Sequence, residues 1–240
     1  MEVVEIHGVK MPVDPAVMPE KIAERMRAGK YEKAEVTALG AILREGDRVL
    51  DLGAGFGLTS TFAALQSGVE AVTTFEANPN ILDHLGNTHR LNGVDVQIEH
   101  AVLSSKGGGD TVEFYVRPLV WGSSLFENKT KGQKVTVKTR DLAETIAALR
   151  PSVICCDIEG AEYDVLMNAD LSSVRAIVVE LHPRIIGAEK TAAIERRLKA
   201  EGFRLKPEFS SDNTVAYHRD ASGGLPAPGL MTRIRGMFGS

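Results

Sequence analysis

The feature that most constrains this fold is a set of apolar segments in which polar and apolar residues do not alternate. Three of them read RVLDLG, SVICCDI and RAIVVEL, and a shorter fourth reads AVTTFEA. Strands of this kind are covered on both faces, as the central strands of a parallel sheet are. Segments with helical periodicity lie between them, which implies right-handed crossovers. The sequence therefore predicts an α/β fold with a doubly wound, mostly parallel sheet.

Other segments predict the sheet edges and the chain ends. In the segment 94–102, apolar and polar side chains alternate from Val94 to Glu99, which predicts an edge strand. DTVEFYV and KVTVKT predict an inserted antiparallel pair joined by a long loop over residues 121–133, and GFRLKPEF and TVAYHR predict a terminal hairpin. We therefore expect a strand-then-helix extension over residues 1–46, a core domain over 47–219, and a flexible tail rich in glycine and proline over 220–240.

Two helices have recognisable ends in the sequence. Leu58, Phe62 and Leu65 fall on one helical face, and Gly68 is expected to close that helix. Asn78, which is followed by proline, predicts the N-cap of the next helix.

Composition and charge argue against a nucleic-acid-binding, a membrane-spanning or a secreted protein. The chain has 240 residues and a net charge of −4, without the basic excess of a nucleic-acid-binding protein. No apolar stretch reaches the roughly 20 residues of a transmembrane segment, and no secretory pattern opens the chain, so a cytoplasmic protein is expected. Cys155 and Cys156 are adjacent in an apolar run, which predicts buried thiols rather than a disulfide. A homodimer is compatible with this composition.

A glycine-rich turn follows the first central strand and contains Gly53, Gly55 and Gly57. The dinucleotide fingerprint G-x-G-x-x-G needs glycine where Leu58 stands, and no lysine nearby completes a phosphate-binding P-loop. Asp51 adds a carboxylate, which repels nucleotide phosphates but attracts the sulfonium and ammonium groups of S-adenosylmethionine. The turn therefore favours S-adenosylmethionine as the ligand.

The next strand ends in a second acid. Glu76 stands 19 residues after Gly57, where a carboxylate accepts hydrogen bonds from both ribose hydroxyls of an adenosine ligand. His100 and Ala101 close the third strand, where the adenine ring would rest. Because NAD contains the same ribose, an NAD-binding Rossmann-type oxidoreductase is the alternative, and the residues of the glycine turn argue against it.

Four predicted strands run into an acid, namely Asp51, Glu76, Asp157 and Glu180. Ligands of open parallel sheets bind outside the carboxyl ends of the strands, so these carboxylates are expected to border one crevice. Burying so many carboxylates without partners is costly. A cationic ligand, hydrogen bonds or a metal ion would offset that cost.

A second motif, ICCDIEGAEYDVL, follows the fourth strand and places Asp157 at the crevice. Glu159 and Glu162 are either acids that complement the dipole of the following helix or functional groups. VVELHP then places His182 after the next strand, as a candidate general base or as a structural histidine that fixes the loop.

The motifs DLGAGFG, TFEANP, WGSSL, VKTRDL, DIEGAE and VVELHP resemble, in order and spacing, those of the FkbM family of S-adenosylmethionine-dependent methyltransferases. The resemblance runs from about Lys30 to Arg219. It implies a class I methyltransferase (Rossmann-like) sheet of seven strands, six parallel and one antiparallel near the end. It also implies O-methylation of a small-molecule hydroxyl acceptor such as a sugar, a polyketide or another secondary metabolite.

The resemblance also implies roles for individual residues. Tyr31 and Glu32 match a segment that covers the methionine end of the donor, and Ala77 and Asn78 would lie beside the adenine. Glu76 matches the ribose-binding acid. The remaining matches form the donor loop (Asp51, Gly53, Ala54, Gly55, Gly57) and the acidic signature (Asp157, Glu159, Glu162).

A hydroxyl acceptor becomes a good nucleophile only when its proton leaves, so a base or a metal must assist. Asp157, Glu159 and His182 are the predicted catalytic residues, with His182 or Asp157 as the base. Alternatively, Asp157, Glu180 and His182 hold a hard divalent cation. The loop from Trp121, with its lysines, is expected over the acceptor. A module that binds the donor without catalysis is the third alternative.

Overall fold

The computed structural model describes residues 2–116, 133–211 and 213–219. Its strands, in chain order, are β1 (Glu2–Ile6), β2 (Val9–Val13), β3 (Arg48–Leu52), β4 (Ala71–Phe75), β5 (Gln97–Glu99), β6 (Val102–Ser104), β7 (Thr111–Val116), β8 (Gln133–Asp141), β9 (Val153–Cys156), β10 (Ala176–Glu180), β11 (Arg204–Leu205) and β12 (Thr214–His218). Its α-helices are α1 (Glu20–Arg27), α2 (Lys33–Ile42), α3 (Leu58–Leu65), α4 (Leu82–Asn92), α5 (Leu142–Leu149), α6 (Glu162–Asn168), α7 (Pro183–Ile186) and α8 (Ala188–Ala200). Short 3₁₀ turns span Pro79–Ile81 and Pro207–Phe209.

The central sheet has seven strands in the order β11-β12-β10-β9-β3-β4-β5. Strands β5, β4, β3, β9 and β10 are parallel, and β12 runs antiparallel to β10. Because β11 is antiparallel to β12, it points the same way as the five parallel strands. The predicted class I methyltransferase fold, with one reversed strand near the chain end, is confirmed.

Both faces of the central strands are buried, as the lack of alternation predicts. Val49 and Cys155 pack with one apolar cluster, whereas Leu50 and Cys156 pack with the cluster on the opposite face. Neighbouring residues of a strand point to opposite faces, so a run that is apolar throughout fills both. The two cysteines are buried free thiols, as predicted.

The N-terminal segment covers one face of this sheet. Ile22 and Met26 of α1 and Leu39 of α2 belong to the same buried cluster as Val49 and Val72 of the sheet. Helix α2 also contacts α3 and β10. Residues 20–42 are thereby brought close to the carboxyl ends of the central strands.

The inserted strands form a small sheet of their own. β7 and β8 pair antiparallel from Thr111 opposite Lys138 to Val116 opposite Gln133, which confirms the predicted pair. The parallel neighbour of β8 is β6. Most of the connecting loop, with Trp121 and its neighbours, and the predicted flexible tail lie outside the described residues.

Helix and strand ends agree with the sequence in most places. Asn78 caps the turn before α4 by accepting a hydrogen bond from the Asn80 amide, and β5 is the edge strand of the sheet. Leu65 lies in the same helix as Leu58 and Phe62, as predicted, but it is 42% exposed, whereas the other two are buried. It is the last residue of α3, and the buried part of that helix ends before it. Gly68 follows beyond the helix end rather than closing it.

Among the described residues, no helix has both the length and the apolar character needed to cross a membrane.

Candidate active site

A cavity of about 870 Å³ opens at the carboxyl ends of the central strands. It is walled by the turns after β3, β4, β9 and β10, by the start of α2 and by the segment before β12. The structure brings most of the predicted site residues together here: Tyr31, Glu32, Gly53, Gly55, Glu76, Ala77, Asn78, Ala101, Asp157, Glu159, Glu180 and His182 all line it.

Four predicted donor-site residues do not line the cavity: Asp51, Ala54, Gly57 and His100. Both Ala54 and Gly57 belong to the glycine turn: Ala54 is buried, and Gly57 is the N-cap residue of α3. His100 is exposed, and its Nε2 lies 3.2 Å from the Ala77 carbonyl oxygen. Their contribution to donor binding stays a prediction.

Asp51 lies inside β3 rather than at its end, because the strand continues to Leu52. Thr59 and Thr74 donate hydroxyl hydrogen bonds to its two carboxylate oxygens at 3.2 and 2.7 Å. Burial raises the pKa of Asp51 to about 6, although these bonds oppose the shift. The Asp51 carboxylate therefore joins β3 to β4 and α3 through these two threonines and does not line the cavity.

The glycine turn is held by contacts that leave no room for a side chain at Gly53. Its amide and that of Ala54 both donate to the Phe75 carbonyl oxygen, at 3.0 and 3.1 Å. Gly53 has φ +86°, and a Cβ there would stand 1.7 Å from the Asp157 carbonyl oxygen. The turn after β3 and the turn after β9 are thus in direct backbone contact.

Glu76 is fixed by the backbone on both sides. Its carboxylate accepts the Gly55 amide at 2.9 Å and the Asn78 amide at 2.6 Å. Burial raises the pKa of Glu76 to about 7, and these backbone hydrogen bonds hold it from rising further. Each carboxylate oxygen has a second lone-pair direction, so the group can still accept hydroxyl hydrogen bonds from a ligand in the cavity.

Tyr31 and Glu32 face the glycine turn from the N-terminal segment. A Cβ at Gly55 would stand 3.0 Å from the Tyr31 hydroxyl and 3.3 Å from a Glu32 carboxylate oxygen. Burial raises the pKa of Glu32 well above its usual range, which the hydrogen bond from Tyr31 opposes. Glu32 Oε2 is buried without a hydrogen-bond partner, and the residue has a strained φ of +43°.

His182 stands among three carboxylates. Its Nδ1 lies 2.7 Å from Glu162 Oε1, and its Nε2 lies 3.4 Å from Glu159 Oε2 and 3.8 Å from Asp157 Oδ1. Glu162 is fully buried and also accepts the Gly160 amide at 2.9 Å. Burial lowers the pKa of His182, but the hydrogen bond to Glu162 and the charges of Glu159 and Glu180 outweigh it, so the net shift is upward.

The two strand-end acids beside His182 have raised pKa values. Burial raises the pKa of Asp157 well above its usual range, and the charges of Glu180 and Glu159 add to this shift. Burial also raises the pKa of Glu180, although the His182 charge opposes it. One ligand atom each from Asp157, Glu180 and His182 lies within 4.8 Å of the others. The group can therefore accept a proton or coordinate a cation.

Several lining residues carried no distinguishing signal in the sequence. They come from the N-terminal helices and from the segment before β12, and include Arg25, Lys30, Lys33, Thr37, Phe209, Ser210, Ser211 and Asn213. The Thr214 hydroxyl donates to Glu35 at 2.6 Å, which joins these two walls. Residues of such ordinary types become recognisable only through the tertiary contact that places them.

A family model described as a methyltransferase FkbM domain matches residues 51–205. No curated protein matches the chain. Solved structures of similar shape include the precorrin-6y C5,15-methyltransferase of Geobacter metallireducens, with 15% identity over 88% of this chain and 97% of that one and a TM-score of 0.47. The ribosomal protein L11 methylase of Lactobacillus delbrueckii subsp. bulgaricus has 12% identity over 78% of both chains and a TM-score of 0.44. The tRNA (uracil-54, C5)-methyltransferase of Pyrococcus abyssi, in complex with S-adenosyl-L-homocysteine, has 16% identity over 90% of this chain and 42% of that one, with a TM-score of 0.48.

Proposed function

This chain belongs to the FkbM methyltransferase family, and from that premise we propose that it methylates a hydroxyl group of a small metabolite. Membership makes it a methyltransferase that uses S-adenosylmethionine, and it decides against the dehydrogenase alternative. The proposal adds the oxygen acceptor and its class, a sugar, a polyketide or a related metabolite. The observation that carries it is the His182 cluster, which places proton-accepting groups in the same cavity as the glycine turn.

The residues that line the cavity are suited to S-adenosylmethionine. Gly53 and Gly55 keep the turn free of side chains, and Glu76 keeps lone pairs available for ribose hydroxyls. The unpartnered Oε2 of Glu32 is suited to an ammonium group, beside the Tyr31 hydroxyl. We assign these residues to donor binding. When bound, S-adenosylmethionine supplies a methyl group on a positively charged sulfur, which is already activated for transfer.

The protein must supply alignment and proton removal. Glu162 accepts the hydrogen of His182 Nδ1, which leaves Nε2 as the ring atom directed toward Asp157 and Glu159. A hydroxyl held at this place would lose its proton to the cluster as its oxygen bonds to the methyl carbon, while the bond from that carbon to sulfur breaks and S-adenosylhomocysteine leaves. We assign His182 or Asp157 as the proton acceptor, with Glu159 beside them and Glu162 as the positioning residue.

The rest of the cavity supports a polar acceptor. Hydroxyl and amide side chains from the two outer walls line it, namely Thr37, Ser210, Ser211 and Asn213. Such groups donate and accept hydrogen bonds with a polyhydroxylated molecule. Lys30 and Lys33 line the same wall and would suit an acidic substituent on the acceptor.

The test is a methylation screen of hydroxyl-bearing metabolites with isotope-labelled S-adenosylmethionine, read by mass spectrometry. We expect label on a hydroxyl oxygen, and Asp157→Asn should lower kcat by about 10²- to 10⁴-fold. Asp170→Asn, an exposed aspartate in the turn before β10, is the matched control and should leave the rate unchanged. Label found only on nitrogen or carbon, or calorimetric binding of NAD but not of S-adenosylmethionine, would contradict the proposal.

A further inference from the structure

The atoms around His182 Nε2 have the spacing of a metal site. Ligands of one octahedral ion, each at about 2.1 Å from it, lie about 3 to 4 Å from one another. His182 Nε2 and Asp157 Oδ1 are 3.8 Å apart, and Glu180 belongs to the same group, in which one ligand atom of each of the three residues lies within 4.8 Å of the others. All three side chains come from the carboxyl ends of the neighbouring strands β9 and β10. A small side-chain adjustment closes this triangle around one ion.

Glu162 has the place of a residue that orients a metal-binding histidine. Ligating histidines almost always give their second ring N–H to a carboxylate or carbonyl, which fixes the tautomer and makes the ligand nitrogen more basic. Glu162 is fully buried and lies 2.7 Å from His182 Nδ1. Because a carboxylate only accepts, Nδ1 carries the hydrogen, and in the neutral imidazole the lone pair of Nε2 points into the cluster.

A second observation supports cation binding rather than proton transfer alone. Asp157 Oδ1 is buried and has no hydrogen-bond partner. A buried carboxylate oxygen without a donor is costly. The backbone of Glu159 has a φ of +51°, a strained value that holds a further carboxylate near Nε2. Together with Glu180, the three carboxylates that contact His182 make four acids around one imidazole, and a divalent ion would offset their negative charge.

We propose that Asp157, Glu180 and His182 Nε2 bind one divalent cation, with Glu162 as the positioning residue. Two carboxylates and one imidazole suit an ion such as Mn²⁺ or Mg²⁺, which keeps other positions for water or an acceptor oxygen. Its role rests on the hydroxyl acceptor of the proposed function and replaces His182 or Asp157 as the proton acceptor: the ion would hold the acceptor hydroxyl and acidify it, and the Glu159 carboxylate would take the proton. The binding of the ion does not depend on the proposed function.

The test is Mn²⁺ binding to the full chain, measured by electron paramagnetic resonance and calorimetry without donor or acceptor. We expect one bound ion per chain, loss of binding in His182→Gln and Glu180→Gln, and about 10- to 100-fold weaker binding in Glu162→Gln. Glu208→Gln, an acid that lines the same cavity outside the ligand group, is the matched control. Retained binding of S-adenosylhomocysteine shows that each variant is folded.

Two results would overturn the site. One is that the wild type binds no Mn²⁺ at about 1 mM, the weak end of protein sites for such ions. The other is that His182→Gln and Glu180→Gln bind Mn²⁺ as the wild type does. Mn²⁺ binding without methylation of any hydroxyl would keep the site and refute the function. Full methyl transfer in EDTA by a protein that binds no Mn²⁺ would keep the function and refute the site.

Discussion

Protonation of Glu76 should control donor affinity near neutral pH. The pKa of this buried carboxyl is raised from 4.5 to about 7, which corresponds to about 3 kcal/mol against the charged form. On its own, this raised pKa contributes folding stability that is fully present below pH 4.5, the pKa in the unfolded chain. The contribution is lost as the pH rises through about 7, the pKa in the folded protein. Ribose hydroxyls donate to the charged form, so donor binding should release a proton.

The size of the effect follows from this pKa. Below about pH 7 each unit of pH should weaken binding about tenfold, so affinity should fall about 25-fold from roughly pH 7.5 to 5.5. Calorimetry with S-adenosylhomocysteine across this range, in buffers of different ionisation enthalpy, measures both the affinity and the proton released. At the upper end of the range, Glu76→Gln should weaken binding about 10- to 100-fold through lost charge-assisted hydrogen bonds, and its own affinity should vary little with pH.

Glu70→Gln provides the control for this titration. Glu70 is an exposed acid that pairs with Arg48, and it directly precedes β4, the strand that Glu76 follows. Its pH profile should match that of the wild type. A wild-type affinity that is constant over this pH range would refute the assignment of Glu76. So would an equal pH dependence in Glu76→Gln, which would move the titration to another group such as Asp51.

Two further predictions concern stability and are measured by urea unfolding. Gly53→Ala should cost about 3 kcal/mol or more, because its Cβ meets a backbone carbonyl oxygen, whereas Gly46→Ala, with a similar φ of +80° and open space, should cost only about 1 to 2 kcal/mol. Equal losses would show that the backbone contact is not the cause. Arg175→Leu should cost about 3 to 5 kcal/mol, because it leaves buried Asp47 without its ion pair. Glu70→Ala removes the exposed pair with Arg48 and should cost at most about 1 kcal/mol, and a similar loss in the two variants would contradict the burial argument.

The fold and the inner part of the site could be predicted from the sequence because both depend on the pattern of apolar and polar residues along short segments. Apolar runs without alternation mark buried parallel strands, and parallel strands place their end residues at one edge. Glu76, Asp157, Glu180 and His182 could therefore be brought together from sequence alone. In the observed order β10-β9-β3-β4, the ends of these strands lie side by side along one edge of the sheet.

The rest depends on contacts between distant parts of the chain. Asp51 was expected in the crevice, but β3 runs one residue further and two threonines take up its carboxylate. The role of Glu162 depends on the path of the turn after β9, which brings it to His182. Leu65 shares a helical face with buried residues, yet the core ends before it. Periodicity describes the face of a helix, not how far its neighbours extend.

The hydrogen bond between Thr214 and Glu35 has a consequence for the order of synthesis. It joins residues 179 positions apart, and both walls of the outer cavity meet there. The residues of the glycine turn and of the Glu76 contacts are all synthesised before residue 214. The outer wall of the cavity, which Thr214 joins to Glu35, is the last part of the site to be made.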